Sequence, residues 1–212
     1  MVARLAAGLA ELQIPLSPHA MEQLCDYLTE LERWNRRINL TAVRSPLEMV
    51  QRHLLDSLAI APLLQGQRLI DVGSGAGLPG IPLAIYAEEI APDWQITLLD
   101  SRSKRCHFLN QVKGRLGLTA VNVIHCRSEA HRPTERYDAV LTRAFASLEA
   151  MVSQTAHLLR PQGHFYAMKG AVSDSELAQL KARDDVATIA IHPLEVPGLA
   201  HEPRHLLSMT LK

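Results

Sequence analysis

Leu69 to Leu83 reads LIDVGSGAGLPGIPL, and the reading of the whole chain turns on it. Leu69, Ile70 and Val72 surround Asp71 in a short apolar run, which predicts the end of a buried strand. Gly73, Gly75, Gly77 and Gly80 follow, four glycines in eight residues. Glycine admits positive φ and lets a ligand approach the backbone closely. Pro79 and Pro82 come next, and proline suits the first turn of a helix, where an N–H is unpaired anyway. The stretch therefore predicts strand, tight turn and helix start. In a doubly wound sheet that is where a nucleotide-like ligand binds.

Two ligands compete for this turn. Gly75, Gly77 and Gly80 satisfy G-x-G-x-x-G, the dinucleotide fingerprint, which would make the chain an NAD-dependent oxidoreductase. Asp71 argues the other way. It sits just before the glycines, where a pyrophosphate would feel its charge and a cationic, phosphate-free ligand would welcome it. S-adenosylmethionine carries a sulfonium, an ammonium and no phosphate. The series Asp71-Val72-Gly73-Ser74-Gly75-Ala76-Gly77 resembles motif I of class I S-adenosylmethionine-dependent methyltransferases, whose implied cofactor-binding set here is Asp71, Gly73, Gly75, Gly77 and Leu78. An ordinary glycine-rich strand–helix turn is the third reading.

Outward from this stretch the chain alternates. Strands are expected at 68–72, 95–99 (ending on Asp100), 121–124, 137–141, 164–168, 187–191 and 206–211. Helices are expected at about 80–88, from Ser101 to Leu116 with Gly117 as a stop, from Ser147 to about Leu159, and over 173–181. Pro161-Gln162-Gly163 reads as a turn. Helices between nearly all successive strands imply a mainly parallel sheet with right-handed crossovers. The last two strands lack a helix between them, so the seventh is expected to insert antiparallel. The fold class is α/β, Rossmann-like, a seven-stranded mainly parallel sheet with helices on both faces.

Residues 1–62 read as a helical cap packed on a main domain of 63–212. Ser17-Pro18 starts a long amphipathic helix that ends near Asn39, and Ser45-Pro46 starts another. The N-terminal MVARLAAGLAELQ reads as amphipathic helix rather than a signal peptide.

At 212 residues the chain is one good-sized domain, with 47% hydrophobic residues and 21% charged. There is no apolar run of transmembrane length, so no transmembrane helix and no membrane partner are expected. Cys25, Cys106 and Cys126 are widely spaced and predict reduced thiols, with no disulfide framework or metal site. A monomer is expected. The 22 basic and 22 acidic residues balance, but their distribution is uneven. Between Ser101 and Ser128 lie Arg102, Lys104, Arg105, Lys113, Arg115 and Arg127 with no acid. That segment reads as a solvated helix face or a phosphate-contacting one.

Asp100 closes the second strand, where a carboxylate can accept hydrogen bonds from both hydroxyls of a ribose. After the third strand, Ser128 and Glu129 stand where class I methyltransferases flank the adenine. The fourth strand leads to Arg143 and Phe145, the position where the methyl donor and a target base should meet. No Asn/Asp-Pro-Pro-aromatic motif follows, as enzymes acting on adenine's exocyclic amine use, and no Pro-Cys nucleophile. A cation can bond the O6 and N7 acceptors of guanine, and an aromatic ring can stack a flipped base. Guanine N7 carries no proton, so its methylation needs alignment and no general base.

Several blocks together resemble one family. They are Trp34-Asn35 with Asn39-Leu40-Thr41, Arg52-His53-Leu54-Leu55-Asp56-Ser57, the Leu78-Pro79-Gly80-Ile81-Pro82 extension of the glycine loop, Asp100-Ser101 with Lys104-Arg105, Arg143-Ala144-Phe145-Ala146, and Phe165 to Gly170. From about Pro15 to Leu211 the chain is similar to RsmG, also called glucose-inhibited division protein B. The resemblance implies a bacterial cytoplasmic enzyme that methylates N7 of one guanine in the 530 loop of 16S rRNA, taken as part of the small ribosomal subunit. It implies Gly73, Leu78, Ser128, Glu129 and Arg143 at the cofactor, and Asn39, His53 and Lys169 at the active-site or RNA-facing rim. Arg143, Phe145, His53 and Asn39 make up the expected catalytic set. For His53 and Asp56, at i and i+3, a buried structural hydrogen bond is the competing reading. Where the family often carries Val-Glu-Glu this chain has Ser128-Glu129-Ala130.

Overall fold

The computed structural model describes residues 1–143, 145 and 147–212. Ala144 and Ala146, two members of the block after the fourth strand, lie outside the described residues.

Among the described residues the strands form one seven-stranded sheet of order β3-β2-β1-β4-β5-β7-β6. They are β1 (Arg68–Val72), β2 (Gln95–Asp100), β3 (Val121–His125), β4 (Tyr137–Thr142), β5 (Leu159–Lys169), β6 (Val186–Pro193) and β7 (His205–Leu211). The first five pair in parallel, and β7 inserts antiparallel between β5 and β6. This is the class I methyltransferase sheet expected from the alternation. Strand order reverses between β2-β1 and β4, and there the carboxyl ends of the strands open a crevice.

The helices are α1 (Val2–Glu11), α2 (Pro18–Ile38), α3 (Pro46–Met49), α4 (Asp56–Leu58), α5 (Gly80–Ile90), α6 (Ser103–Leu116), α7 (Leu148–Thr155) and α8 (Asp174–Lys181). Side chains alternate across a strand, and β1 shows it. Leu69 packs with Leu24, Ile81 and Phe108 on one face, while Ile70 packs with Met151, Val152 and Leu180 on the other. The first of these cores also takes in Leu5, Leu28, Leu54 and Leu58, so residues from 1–62 share an apolar core with the sheet. Glu30, almost fully buried on α2, pairs with Arg115 of α6 at 2.8 Å and ties the two helices together.

Four local expectations change. The helix after β2 is capped at Arg102 rather than Ser101, because the Asp100 carboxylate takes the Arg102 amide at 2.8 Å. The Ser147 helix ends at Thr155 and tightens into a 3₁₀ turn (Ala156–Leu158). Pro161-Gln162-Gly163 is no terminal turn but a bulge inside β5. There Tyr137 faces Leu159 while Ala139 faces His164, and Gln162 adopts φ 63. Between α3 and α4 the chain widens into a π-helical stretch, Val50–Leu55. No side-chain pattern announces that widening, although such stretches recur at functional sites.

Candidate active site

The glycine loop is held from beneath by β2. The amides of Gly73 and Ser74 both donate to the Leu99 carbonyl, at 2.8 and 3.1 Å. Gly73, Gly75 and Gly77 all have positive φ. Their surroundings differ. A Cβ on Gly77 would lie 2.6 Å from Ile81 Cγ1, whereas one on Gly73 would meet nothing within 4 Å. Gly77 is therefore required by packing, and Gly73 faces open space. From above, the buried hydroxyl of Tyr27 on α2 donates to the Ala76 carbonyl at 2.8 Å.

Asp71 turns away from the crevice and under the loop. Its Oδ2 accepts the Gly80 amide at 3.1 Å at the start of α5. Burial raises its carboxyl to about 7, against the pull of the Gly80 amide. A dinucleotide would place its pyrophosphate at that helix terminus. Here an internal carboxyl already takes the terminal Gly80 amide, so that amide is not free for an incoming diphosphate.

Beside Gly73 opens a cleft of about 300 Å³, lined by Asp100, Arg105, Ser128, Glu129 and Phe145 among others. Asp100 is nearly fully buried. Its Oδ2 accepts the Gly75 amide at 2.9 Å and Arg105 at 3.2 Å, and its Oδ1 accepts only the Arg102 amide among the described residues. Oδ1 thus keeps acceptor capacity for a ligand hydroxyl. The Ser128 hydroxyl donates to Glu129 at 3.1 Å, and Glu129's own amide, followed by that bond, holds the Glu129 carboxyl below its ordinary value. The open space at Gly73, the acidic floor at Asp100 and Glu129, and the pre-filled α5 terminus fit a ribose-bearing cationic ligand such as S-adenosylmethionine. Arg105, counted above with the basic run, belongs to this cleft.

Across the crevice the residue after β4 carries a charged network. Arg143 Nη2 lies 2.5 Å from the Arg52 carbonyl and 3.4 Å from Asp56 Oδ2. Asp56 Oδ1 faces Arg204 Nε at 3.3 Å, and Glu202 bridges Arg204 (2.9 Å) to Arg52 (2.8 Å). Burial raises the Asp56 carboxyl in spite of these cations. His53 is only 3% exposed. Its Nε2 meets the Thr41 hydroxyl at 2.9 Å, and Thr41 is in turn clasped by the Asn35 amide through two 2.9 Å bonds. Burial, then the Arg143 charge, lowers His53 to about 4, so it is neutral at pH 7.

Among the expected rim residues, Lys169 pairs with Glu176. Asn39 is exposed and adopts φ 47 at the C-cap of α2, a conformation asparagine tolerates better than most residues. Phe145 stands at the cleft wall, half-buried. Tyr27, Asn35, Thr41, Arg204 and Glu202 also contribute, although the sequence assigns none of them a role. The Trp34-Asn35 and Asn39-Leu40-Thr41 blocks were the signal for two of them.

Comparison with known proteins places the chain in a family. The family model described as rRNA small subunit methyltransferase G matches residues 20–207. The chain belongs to that family. It is 51% identical to the ribosomal RNA small subunit methyltransferase G of Hydrogenovibrio crunogenus over 95% of this chain and 90% of that protein. The like-named protein of Shewanella sp. (strain ANA-3) is 46% identical over 98% and 97%. Among solved structures, the O-methyltransferase of Bacillus cereus in complex with SAH superposes with a TM-score of 0.59 at 13% identity, over 99% of this chain and 100% of that one, a likeness of fold. The family member described here is an S-adenosylmethionine-dependent methyltransferase.

Proposed function

We propose that this enzyme methylates N7 of a specific guanine in the 530 loop of 16S rRNA, presented within the small ribosomal subunit in the bacterial cytoplasm. The observation that carries this reading is the state of the groups that could serve as a base next to Arg143. His53 is buried against Thr41, and Asp56 is buried between Arg143 and Arg204. Neither is free to take a proton from a substrate. Guanine N7 offers a lone pair and no proton, so it is an acceptor suited to such a site.

When bound, S-adenosylmethionine supplies an electrophilic methyl group on a sulfonium. The chain's own residues then bind and align. Gly73 leaves room for close approach, Asp100 Oδ1 takes a ribose hydroxyl, and Ser128 with Glu129 borders the adenine. Asp71 acts through the loop rather than by contact. Arg143 and Phe145 stand at the methyl-donor end, where a guanidinium reads O6 of guanine and a ring stacks the base. Alignment of N7 with the S–CH₃ bond supplies the acceleration. In this reading residues 1–62 are a cap on the 63–212 catalytic domain, His53 positions Thr41 and the π-helical stretch, and Asn39 with Lys169 faces the RNA. The protein acts as a monomer without a metal.

The test is methyl transfer from labelled S-adenosylmethionine to small subunits from a strain lacking the modification, mapped by aniline cleavage at N7-methylguanine. Label at one guanine of the 530 loop is expected. Transfer to another nucleotide, or to a small molecule instead of RNA, overturns the substrate while leaving the cofactor site intact.

A further inference from the structure

A second cavity of about 130 Å³ lies on the same carboxyl edge, beyond the cleft and past Arg143. Asp56, Arg143, Lys169, Gly170, Arg204 and His205 line it. Four elements meet there: the residue after β4, the end of β5, the start of β7, and α4. The antiparallel insertion of β7 is what brings His205 and Arg204 to the edge where β5 ends.

The charges that line this cavity do not cancel. Arg143, Lys169 and Arg204 line it against a single carboxylate, Asp56. Glu176 reaches Lys169 and Glu202 reaches Arg204 from outside the lining. Arg143 Nη1 and Asp56 Oδ1 are both buried and have no hydrogen-bond partner among the described residues. A buried guanidinium nitrogen without an acceptor is costly unless something supplies one. His205 closes the wall through a 2.7 Å bond to the Gly170 carbonyl. The space is too small for a nucleobase with its sugar, and it suits a compact tetrahedral anion. A phosphodiester carries negative charge on a compact tetrahedral group, and guanidinium groups match its geometry.

We propose that this cavity binds one phosphodiester of the substrate RNA strand, beside the base held at Arg143 and Phe145. The assignment to RNA rests on the function proposed above; the anion site itself does not. The cavity thereby fixes where the strand runs as it leaves the cleft, across the ends of β5 and β7.

The experiment has two parts. First, inorganic phosphate is titrated into the full-length protein while the side-chain Nε–H signals of Arg143 and Arg204 are followed by NMR. Saturable shifts are expected, and Lys169→Gln should raise the apparent Kd about tenfold, as for loss of one charge-assisted hydrogen bond. Shifts no larger than those from chloride at equal ionic strength overturn the proposal. Second, the salt dependence of KM for small subunits is compared in wild type, Lys169→Gln and Arg204→Gln. Each variant should flatten the log–log slope by about 0.7 to 0.9, one phosphate contact, with S-adenosylmethionine affinity unchanged by calorimetry. A phosphate response with unchanged slopes overturns the assignment to the RNA strand. Phosphate binding by a protein that methylates no small subunit overturns the function proposed above and supports the anion site.

Discussion

Arg143 Nη2 donates to the main-chain carbonyl of Arg52 at 2.5 Å, a bond that spans 91 residues of sequence. The acceptor sits inside the π-helical stretch. In an α-helix the Asp56 amide would bond that carbonyl, but here it reaches back to Gln51. The widened turn thus presents a backbone oxygen to the loop after β4, and Asp56 adds its carboxylate from the next turn. The aim of the Arg143 guanidinium is set by a segment far away in the chain.

Replacing Arg143 should therefore cost stability as well as activity. Removing one member of a buried ion pair costs roughly 3–5 kcal/mol, and partial exposure of this guanidinium reduces that to about 2 kcal/mol. Equilibrium urea unfolding of Arg143→Ala should show the lower midpoint, with methyl transfer falling more than tenfold. Arg143→Lys should recover part of the stability and little of the activity, since an ammonium cannot reproduce the planar fork. An unchanged midpoint for Arg143→Ala would mean that the Arg52 and Asp56 contacts hold nothing.

Two glycines with the same sign of φ should separate fold from ligand. Gly77→Ala drives a methyl into Ile81 and Leu109, and little folded protein is expected by circular dichroism. Gly73→Ala puts its methyl into open space and pays only about 1–2 kcal/mol for a left-handed conformation. Its product should fold, and calorimetry should find S-adenosylmethionine binding weakened at least tenfold. Equal affinity in Gly73→Ala and wild type would remove the cofactor from that face of the loop.

Asp71 makes stability depend on pH in an unusual direction. Its carboxyl titrates near 7 in the folded protein and near 3.9 when unfolded. A raised acid favours folding while it is protonated, so its contribution is full below about pH 4 and is lost as pH rises towards 7. His53, lowered to about 4 by burial, works oppositely and stabilises as pH rises over the same range. The difference between wild type and Asp71→Asn isolates the first effect: wild type should lose stability relative to the variant between about pH 4 and 7. A flat difference across that window would refute the buried, protonatable carboxyl.

The basic run should divide into ligand and RNA functions. Arg105 touches Asp100, and Arg115 is taken by Glu30. Lys104 and Lys113 make no ion pair among the described residues. Lys104→Glu with Lys113→Glu should raise KM for small subunits, most at low salt, and leave S-adenosylmethionine affinity unchanged. Arg105→Glu should weaken cofactor binding directly. If the lysine pair lowers cofactor affinity as much as Arg105→Glu does, the division fails.

The sheet and the glycine loop were legible because their signals are local. Leu69 to Val72 is a short apolar run, Gly80 and Pro82 open a helix, and the missing helix before residue 205 foretold the antiparallel β7. The charged network was not legible for the opposite reason. Arg52 meets Glu202 across 150 residues, and no spacing rule links positions that topology alone brings together. Asp71 shows a subtler gap. Its place in the sequence was recognised, but the direction of its side chain depends on which face of β1 meets α5. The bulge at Gln162 was hidden because Pro-Gln-Gly has the same composition as a true turn.

The backbone bonds under the glycine loop carry a lesson about synthesis. Gly73, Ser74 and Gly75 are made well before Leu99 and Asp100, the residues that accept their amides. Tyr27, which holds Ala76, is made earlier still. The loop consequently cannot take its working shape while its own residues emerge from the ribosome; it must wait for β2. A peptide cut to residues 69–83 would carry the whole fingerprint and none of its conformation.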